Sequence, residues 1–408
     1  MKIASDQLRD LLARDETLVR TWERGMFDLL TGDKADRLVL CGAGGLGRKT
    51  LAGLRCLGIE PMAFADNNPD LRGQSVEGVH VYGAKEAAQK FGDDAAFVVT
   101  IWGAHGRDRL AQRKQEWEGL GCRLVVSFRS LFWRHPAIFL PHYACGAPHE
   151  VYAQRSLIAS AAELWSDDAS RAEFVQQIRW RTELDFDGLS EPVSALPYFP
   201  RDIVQLREDE CFVDCGAFDG DTLRDFLSVS EGKFVRYWAL EPDPTNFSKL
   251  SNLVQAMGSD LRGRIDLLPL AAAESSGRLR FTANATAGSA VSEQGTTEVE
   301  ACALDLLLVE ATPTFLKMDI EGGEPAALRG ARQIIGRCRP IIAISVYHLS
   351  RHLWEIPLWL AAGLSEYNLF LRPHDREGWD LVCYAIPRER TPVRPLSWSR
   401  LAKSPLTS

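Results

Sequence analysis

Two short apolar runs, each ending in a glycine-rich turn and each leading into a helical pattern, constrain this chain more than anything else in it. Leu38-Val-Leu-Cys41 meets Gly42-Ala-Gly-Gly-Leu-Gly47, and Cys211-Phe-Val-Asp214 meets a turn carrying Gly216 and Gly220. Runs this short, bounded by glycine, read as buried strands rather than helices. Further strands are expected at 62–65, 79–82, 97–102 and 123–127 in the first half. The second half adds 236–240, 265–269, 279–282, 314–318 and 341–347. Strands alternating with helical segments imply parallel sheets with right-handed crossovers. The expected class is α/β, with two doubly wound Rossmann-like domains.

A chain of 408 residues exceeds one ordinary core. The division expected is an N-terminal domain at 1–134, a helical connector at 135–200, a second domain at 201–387 and a basic, Pro/Ser-rich tail at 388–408. Helical spacing marks 6–30, 151–165 and 169–184, the last with Ser166 as its cap and Asp167 and Asp168 in its first turn. The second domain adds helices at 221–227, 244–257 and 325–335. Residues 191–200 hold three prolines and must be extended or loop. They read as a linker, or as a lid beside a site.

The net charge of −8 argues against a nucleic-acid partner, which needs a dense basic face. The first residues lack the apolar centre of a signal peptide, and no run is long enough for a transmembrane segment. Nine scattered cysteines without a paired CxxC give no zinc framework. The setting expected is cytoplasmic; a homo-oligomer is left open.

The chemistry concentrates in the second half. Glycines 216 and 220 let the backbone turn sharply and approach a ligand. Asp214, at the strand's end, is placed to hold an ammonium, directly or through water. Some twenty residues on, Ala239-Leu-Glu-Pro-Asp243 delivers Glu241, whose carboxylate can accept two hydroxyls of a ribose. A third stretch, Phe315-Leu-Lys-Met-Asp-Ile-Glu-Gly-Gly-Glu324, brings Lys317, Asp319, Glu321 and Glu324 to the end of a strand. The next strand ends in His348, the side chain most used as a general base.

These stretches, with Leu304-Asp305 and Ser345-Val-Tyr-His348, resemble the FkbM family of methyltransferases over roughly residues 198–386. Phe218-Asp219 departs from the family's usual Asn and small residue. The resemblance implies S-adenosylmethionine as cofactor, held by Asp214, Gly216, Ala217, Gly220, Asp221, Thr222, Glu241, Pro242 and Ala272. It implies methyl transfer to a hydroxyl of a sugar or other small molecule, so that the partner is a small-molecule or glycan acceptor. The catalytic set expected is Asp319, His348, Lys317, Glu321 and Glu324. Asp319 or His348 would take the acceptor's proton, with Lys317 fixing one of them. The principal reading uses no metal. In the alternative, Asp319, Glu321, Glu324 and His348 gather a divalent cation, and oxygen-rich ligands favour magnesium.

The front glycine loop fits GxGxxG, with Asp66 at the distance of a ribose-binding acid. Alone it suggests an NAD- or nucleotide-sugar-binding protein or an oxidoreductase. The same stretch, with Phe64-Ala-Asp-Asn-Asn-Pro69 and Gly73 to Val79, is similar to front domains of sugar-modifying acyltransferases and related methyltransferases. No clear hydride-transfer constellation accompanies it.

Overall fold

Both glycine-turn strands become inner strands of mainly parallel sheets. The computed structural model describes residues 2–103, 108–184, 186, 188–194, 196–282, 290–291 and 297–392. In the front domain, β1 (Leu38–Cys41), β2 (Ala63–Ala65), β3 (Ser75–Val76), β4 (Val79–Tyr82), β5 (Ala96–Val99) and β6 (Leu124–Ser127) form one sheet. Its order is β3-β4-β2-β1-β5-β6, antiparallel only between β3 and β4. Strand β1 is buried throughout, as an inner strand covered on both faces must be.

The second domain repeats the plan. Strands β7 (Cys211–Cys215), β8 (Arg236–Leu240) and β9 (Ile265–Leu268) precede a small sheet of β10 (Ala271–Ala272), β11 (Gly277–Thr282), β12 (Ala290–Val291) and β13 (Thr297–Cys302). Then come β14 (Phe315–Met318), β15 (Ile341–Ser345), β16 (Tyr367–Pro373) and β17 (Leu381–Pro387). The main sheet runs β16-β17-β15-β14-β7-β8-β9, with β17 antiparallel to both neighbours. Strand order therefore reverses at β1/β5 in one domain and at β7/β14 in the other. In doubly wound sheets ligands bind beyond the carboxyl ends of the strands at such a point.

Several local expectations change. The helix expected over 6–30 is two, Lys2–Leu11 and Glu16–Thr31, because the Asp15 carboxylate accepts the amides of Thr17 and Leu18 and starts the second. The helix at Asp168–Thr182 is capped by Asp167 rather than Ser166. Ser166 instead exchanges hydrogen bonds with Leu369 of β16. The stretch 151–165 is likewise two helices, Pro148–Ala153 and Arg155–Ala162. The helix at 325–335 divides into Glu324–Arg329 and Arg332–Cys338. Gly330 lies at the break, where a Cβ would stand 2.0 Å from the carbonyl oxygen of Ala273. Asp305 then accepts the amides of Gln333 and Ile334 at the start of the second piece. Strands β16 and β17 were not expected from sequence at all. Of the tail, residues 393–408 lie outside the described residues, as do 185, 187 and 195 of the connector.

The connector is bound to both domains: the amide of His149 donates to Glu23 of the front domain at 2.9 Å and Glu183 pairs with Arg14, while its other side meets the second domain. Ser170 accepts the amide of Leu371, and Arg372 pairs with Asp167 at 2.5 Å and with Asp202 at 2.8 Å. These contacts cover the edge strand β16, which would otherwise present unpaired backbone groups. At the domain contact, Trp102, just beyond β5, lies 4.5 Å from Trp379 in the β16–β17 loop, and its indole N–H donates to the carbonyl of Glu377.

Candidate functional site

At the carboxyl ends of β7, β8 and β14 a cleft opens. One wall is the turn after β7. Gly216 has φ +82°, and a Cβ there would stand 2.0 Å from the Asp319 carbonyl oxygen, so the two strand ends touch only because this residue is glycine. Gly220, with φ +90°, passes between Leu250 and Leu253 and hands the chain to the helix Asp221–Val229. Gly216, Phe218, Asp221 and Thr222 line the cleft. Ala217 is buried and does not.

Glu241, following β8, holds this turn in shape. Its Oε2 accepts the amide of Phe218 at 2.8 Å and its Oε1 the amide of Asp243 at 2.8 Å. Each oxygen keeps a lone pair for a ligand. Burial pushes its carboxyl up to about 7, against the two amides and Lys317. The front domain repeats the device: Asp66 accepts the amides of Ala43 and Asn68, both at 2.8 Å. There Gly47 is obligatory, since its Cβ would stand 2.0 Å from the Gly42 carbonyl oxygen. Pro242, Leu270, Ala271 and Ala272 give the cleft an apolar side, and Asn246 adds an amide that sequence reasoning had not singled out.

Asp214 is corrected. It is wholly buried beneath the floor, where Tyr237 Oη–H donates to it at 2.6 Å and Lys317 Nζ stands 2.9 Å away. Without exposed surface Asp214 does not meet a ligand's ammonium directly. Its part is to seat Lys317, the residue beside it across the β7–β14 register. Lys317 lines the cleft, and its Nζ also donates to the Gly216 carbonyl at 2.6 Å. Burial disfavours the lysine's charge, but Asp214, Asp319 and Asp221 outweigh it and raise its pKa.

Asp319, Glu321, Glu324 and His348 do converge, in two layers. Glu324 lies behind: its Oε1 accepts from His348 Nδ1 at 2.8 Å and from the amide of Ile320 at 3.0 Å, and its Oε2 is 3.3 Å from His352 Nδ1. In front, His348 Nε2 faces Asp319 Oδ1 at 3.2 Å and Glu321 Oε1 at 3.6 Å. Asp319 and Glu321 line the cleft; Glu324 and His348 are buried behind it. Burial works against His348's charge, yet Glu324, Asp319 and Glu321 raise its pKa well above the ordinary value. Burial would likewise raise Asp319, but His348, Lys317 and Tyr198 bring it down to about 2. For Glu321, burial and the neighbouring carboxylates prevail over His348, pushing it up to about 7.

Tyr198, from the proline-rich stretch, was missed. Its hydroxyl donates to Asp319 Oδ2 at 2.7 Å, and Lys317 Nζ stands 5.2 Å from its ring centre. Tyr198, Phe218 and Glu321 all have left-handed backbone, with φ of 69°, 46° and 55°. Such conformations cost non-glycine residues about 1–3 kcal/mol each and gather at functional sites. The only signal for Tyr198 in the sequence was an aromatic residue between two prolines.

The doubly wound domain thus gathers a glycine turn, the Glu241 acid and the Asp319 and Glu321 carboxylates in one cleft. Residues 214–372 match the family described as Methyltransferase FkbM domain. The crystal structure of methyltransferase FkbM from Methylobacillus flagellatus KT is similar in fold, with TM-score 0.74 and 24% identity over 93% of this chain and 97% of that one. That likeness therefore includes the front domain and the connector. A chain of a fibrillarin/Nop5p complex aligns over 45% of this chain and 75% of its own at 13% identity, with TM-score 0.27. No curated protein matches the sequence. No helix among the described residues is long and apolar enough to cross a membrane.

Proposed function

We propose that this protein transfers a methyl group from S-adenosylmethionine to a hydroxyl of a small-molecule or glycan acceptor. The observation that carries the reading is the convergence of the Gly216–Thr222 turn, Glu241 and the Asp319–Glu321 carboxylates on one cleft. The lining fits the donor. Glu241 offers acceptors for two ribose hydroxyls, Gly216 leaves room for close approach, and Pro242, Ala271 and Ala272 offer apolar surface to an adenine. Bound there, S-adenosylmethionine supplies an already activated methyl group.

The chain's own work is then to position and to move a proton. Lys317 ties the ends of β7 and β14 together, fixing the distance between donor wall and acceptor wall. Alignment of an acceptor oxygen can contribute several kcal/mol, on the order of 7–11 in the best cases. Asp319 and Glu321, the carboxylates that face the cleft, take the acceptor's proton. His348, hemmed by Glu324 behind and by these two in front, steadies their charge instead of acting as the base. Unpaired thiols at all nine cysteines are in keeping with a cytoplasmic setting.

Calorimetric titration with S-adenosylmethionine tests the reading. Glu241→Ala is expected to weaken binding about 10- to 100-fold, the worth of charge-assisted hydrogen bonds. Asp66→Ala should leave it near the wild-type value. Absence of binding to the wild-type protein would sink the proposal.

A further inference from the structure

The layered arrangement around His348 is the arrangement of a metal ligand and its supporting shell. We infer that His348 Nε2, Asp319 Oδ1 and Glu321 Oε1 form a site for one divalent first-row transition-metal ion at the acceptor side of the cleft. This rests on the methyl-transfer reading for its purpose, though not for its geometry.

Four observations carry it. His348 is 97% buried by its 3% exposure, and neither its Nε2 nor Asp319 Oδ1 has a hydrogen-bond partner, although they stand 3.2 Å apart. Two buried polar atoms this close that do not satisfy each other by a hydrogen bond leave a position for a third party. The spacings also suit one. Donors bound at about 2.0–2.2 Å to a common ion lie roughly 3.0–3.5 Å from each other, and His348 Nε2 stands 3.2 Å from Asp319 Oδ1 and 3.6 Å from Glu321 Oε1. Next, the far nitrogen is oriented as ligating histidines require: Nδ1 pairs with Glu324 at 2.8 Å, so that Nε2 is free to bind. Finally, the supporting groups are themselves held. The amide of Ile320 anchors Glu324, and Tyr198 donates to Asp319 Oδ2, the oxygen that does not face the histidine.

This assignment differs from a cluster of all four side chains. Glu324 sits on the opposite edge of the imidazole from Asp319 and Glu321, so it supports the site rather than binding in it. The donor set is then one nitrogen and two oxygens. Imidazole shifts preference from magnesium toward manganese, iron, cobalt or zinc. Three protein donors leave positions open toward the cleft, where an acceptor oxygen could enter and lose its proton more easily to water. Asp319 and Glu321 would in that case hold the ion that eases the proton's departure rather than receive the proton.

The test uses the full chain stripped with a chelator, then titrated with Mn²⁺ alone by calorimetry and electron paramagnetic resonance. One saturable Mn²⁺ per chain is expected, bound at least tenfold tighter than Mg²⁺. Glu321→Gln should weaken Mn²⁺ at least tenfold with little change in melting temperature, because that side chain borders open cleft. Glu324→Gln, a positioning change, should cost about 10- to 100-fold. No saturable Mn²⁺ binding by the wild type, or the same affinity in both variants, would overturn the inference. Titration with S-adenosylmethionine separates the two readings: donor binding without Mn²⁺ binding removes the metal alone, and the reverse removes the methyl donor.

Discussion

Glu241 has two tasks at once. It shapes the glycine turn through the amides of Phe218 and Asp243 and keeps lone pairs toward the cleft. Burial holds its carboxyl near 7, with Lys317 lowering and Asp243 raising it among the charges that face it. The ionised form is the better acceptor for ribose hydroxyls, so affinity for S-adenosylmethionine should fall as pH drops through about 7. Glu241→Gln should remove that pH dependence, as calorimetry between pH 5.5 and 8.5 would show. Stability of the unliganded protein runs the other way. A carboxyl whose value is higher folded than unfolded favours the fold at low pH, and that contribution is lost as pH rises through about 7. A flat affinity profile across this range would assign the ribose contact elsewhere.

Among the elements, the connector helix Asp168–Thr182 is the one whose role exceeds its sequence pattern. Its cap residue, Asp167, accepts the amide of Ser170 and also pairs with the buried Arg372 of β16. One side chain thus starts a helix and ties it to a sheet edge. Asp167→Ala should destabilise by about 2–4 kcal/mol, combining a lost cap with a weakened buried pair. Asp202 still neutralises Arg372 in that variant and limits the loss. Ser166→Ala, at the position that does not cap, should cost less. Denaturant midpoints of the two variants check the order, and an equal loss would contradict the assigned cap. The divided helix at Glu324–Arg329 and Arg332–Cys338 follows the same logic, since Gly330 breaks it where β10 and its flank pass too close for a side chain.

Across the whole molecule, the two sheets are joined through aromatic side chains at their carboxyl ends. Trp102 of the front domain packs on Trp379, which in turn lies 4.7 Å from Tyr143 and 5.8 Å from Tyr347 at the rim of the cleft. Trp379→Ala should cost about 3–5 kcal/mol, and its loss should fall on the domain contact. Hydrogen exchange would then show β1 and β7, protected alike in the wild type, opening with different free energies in the variant. Unchanged protection would mean that the contact does not couple the halves. The short-range part of this architecture was legible in the chain itself. Apolar runs closed by glycine marked β1 and β7, and the ribose-spaced acid and the Asp319–Glu324 stretch were visible because strand ends and turns are local chemistry. Strands β16 and β17 were not, because an antiparallel pair at a sheet edge takes its meaning from the helix that covers it. Asp214 and Tyr198 show the same limit at the scale of residues. Sequence spacing put Asp214 at a strand end and Tyr198 in a linker, but which of them touches a carboxylate lining the cleft depends on depth. Depth is set by packing between segments over a hundred residues apart, and only the folded chain decides it.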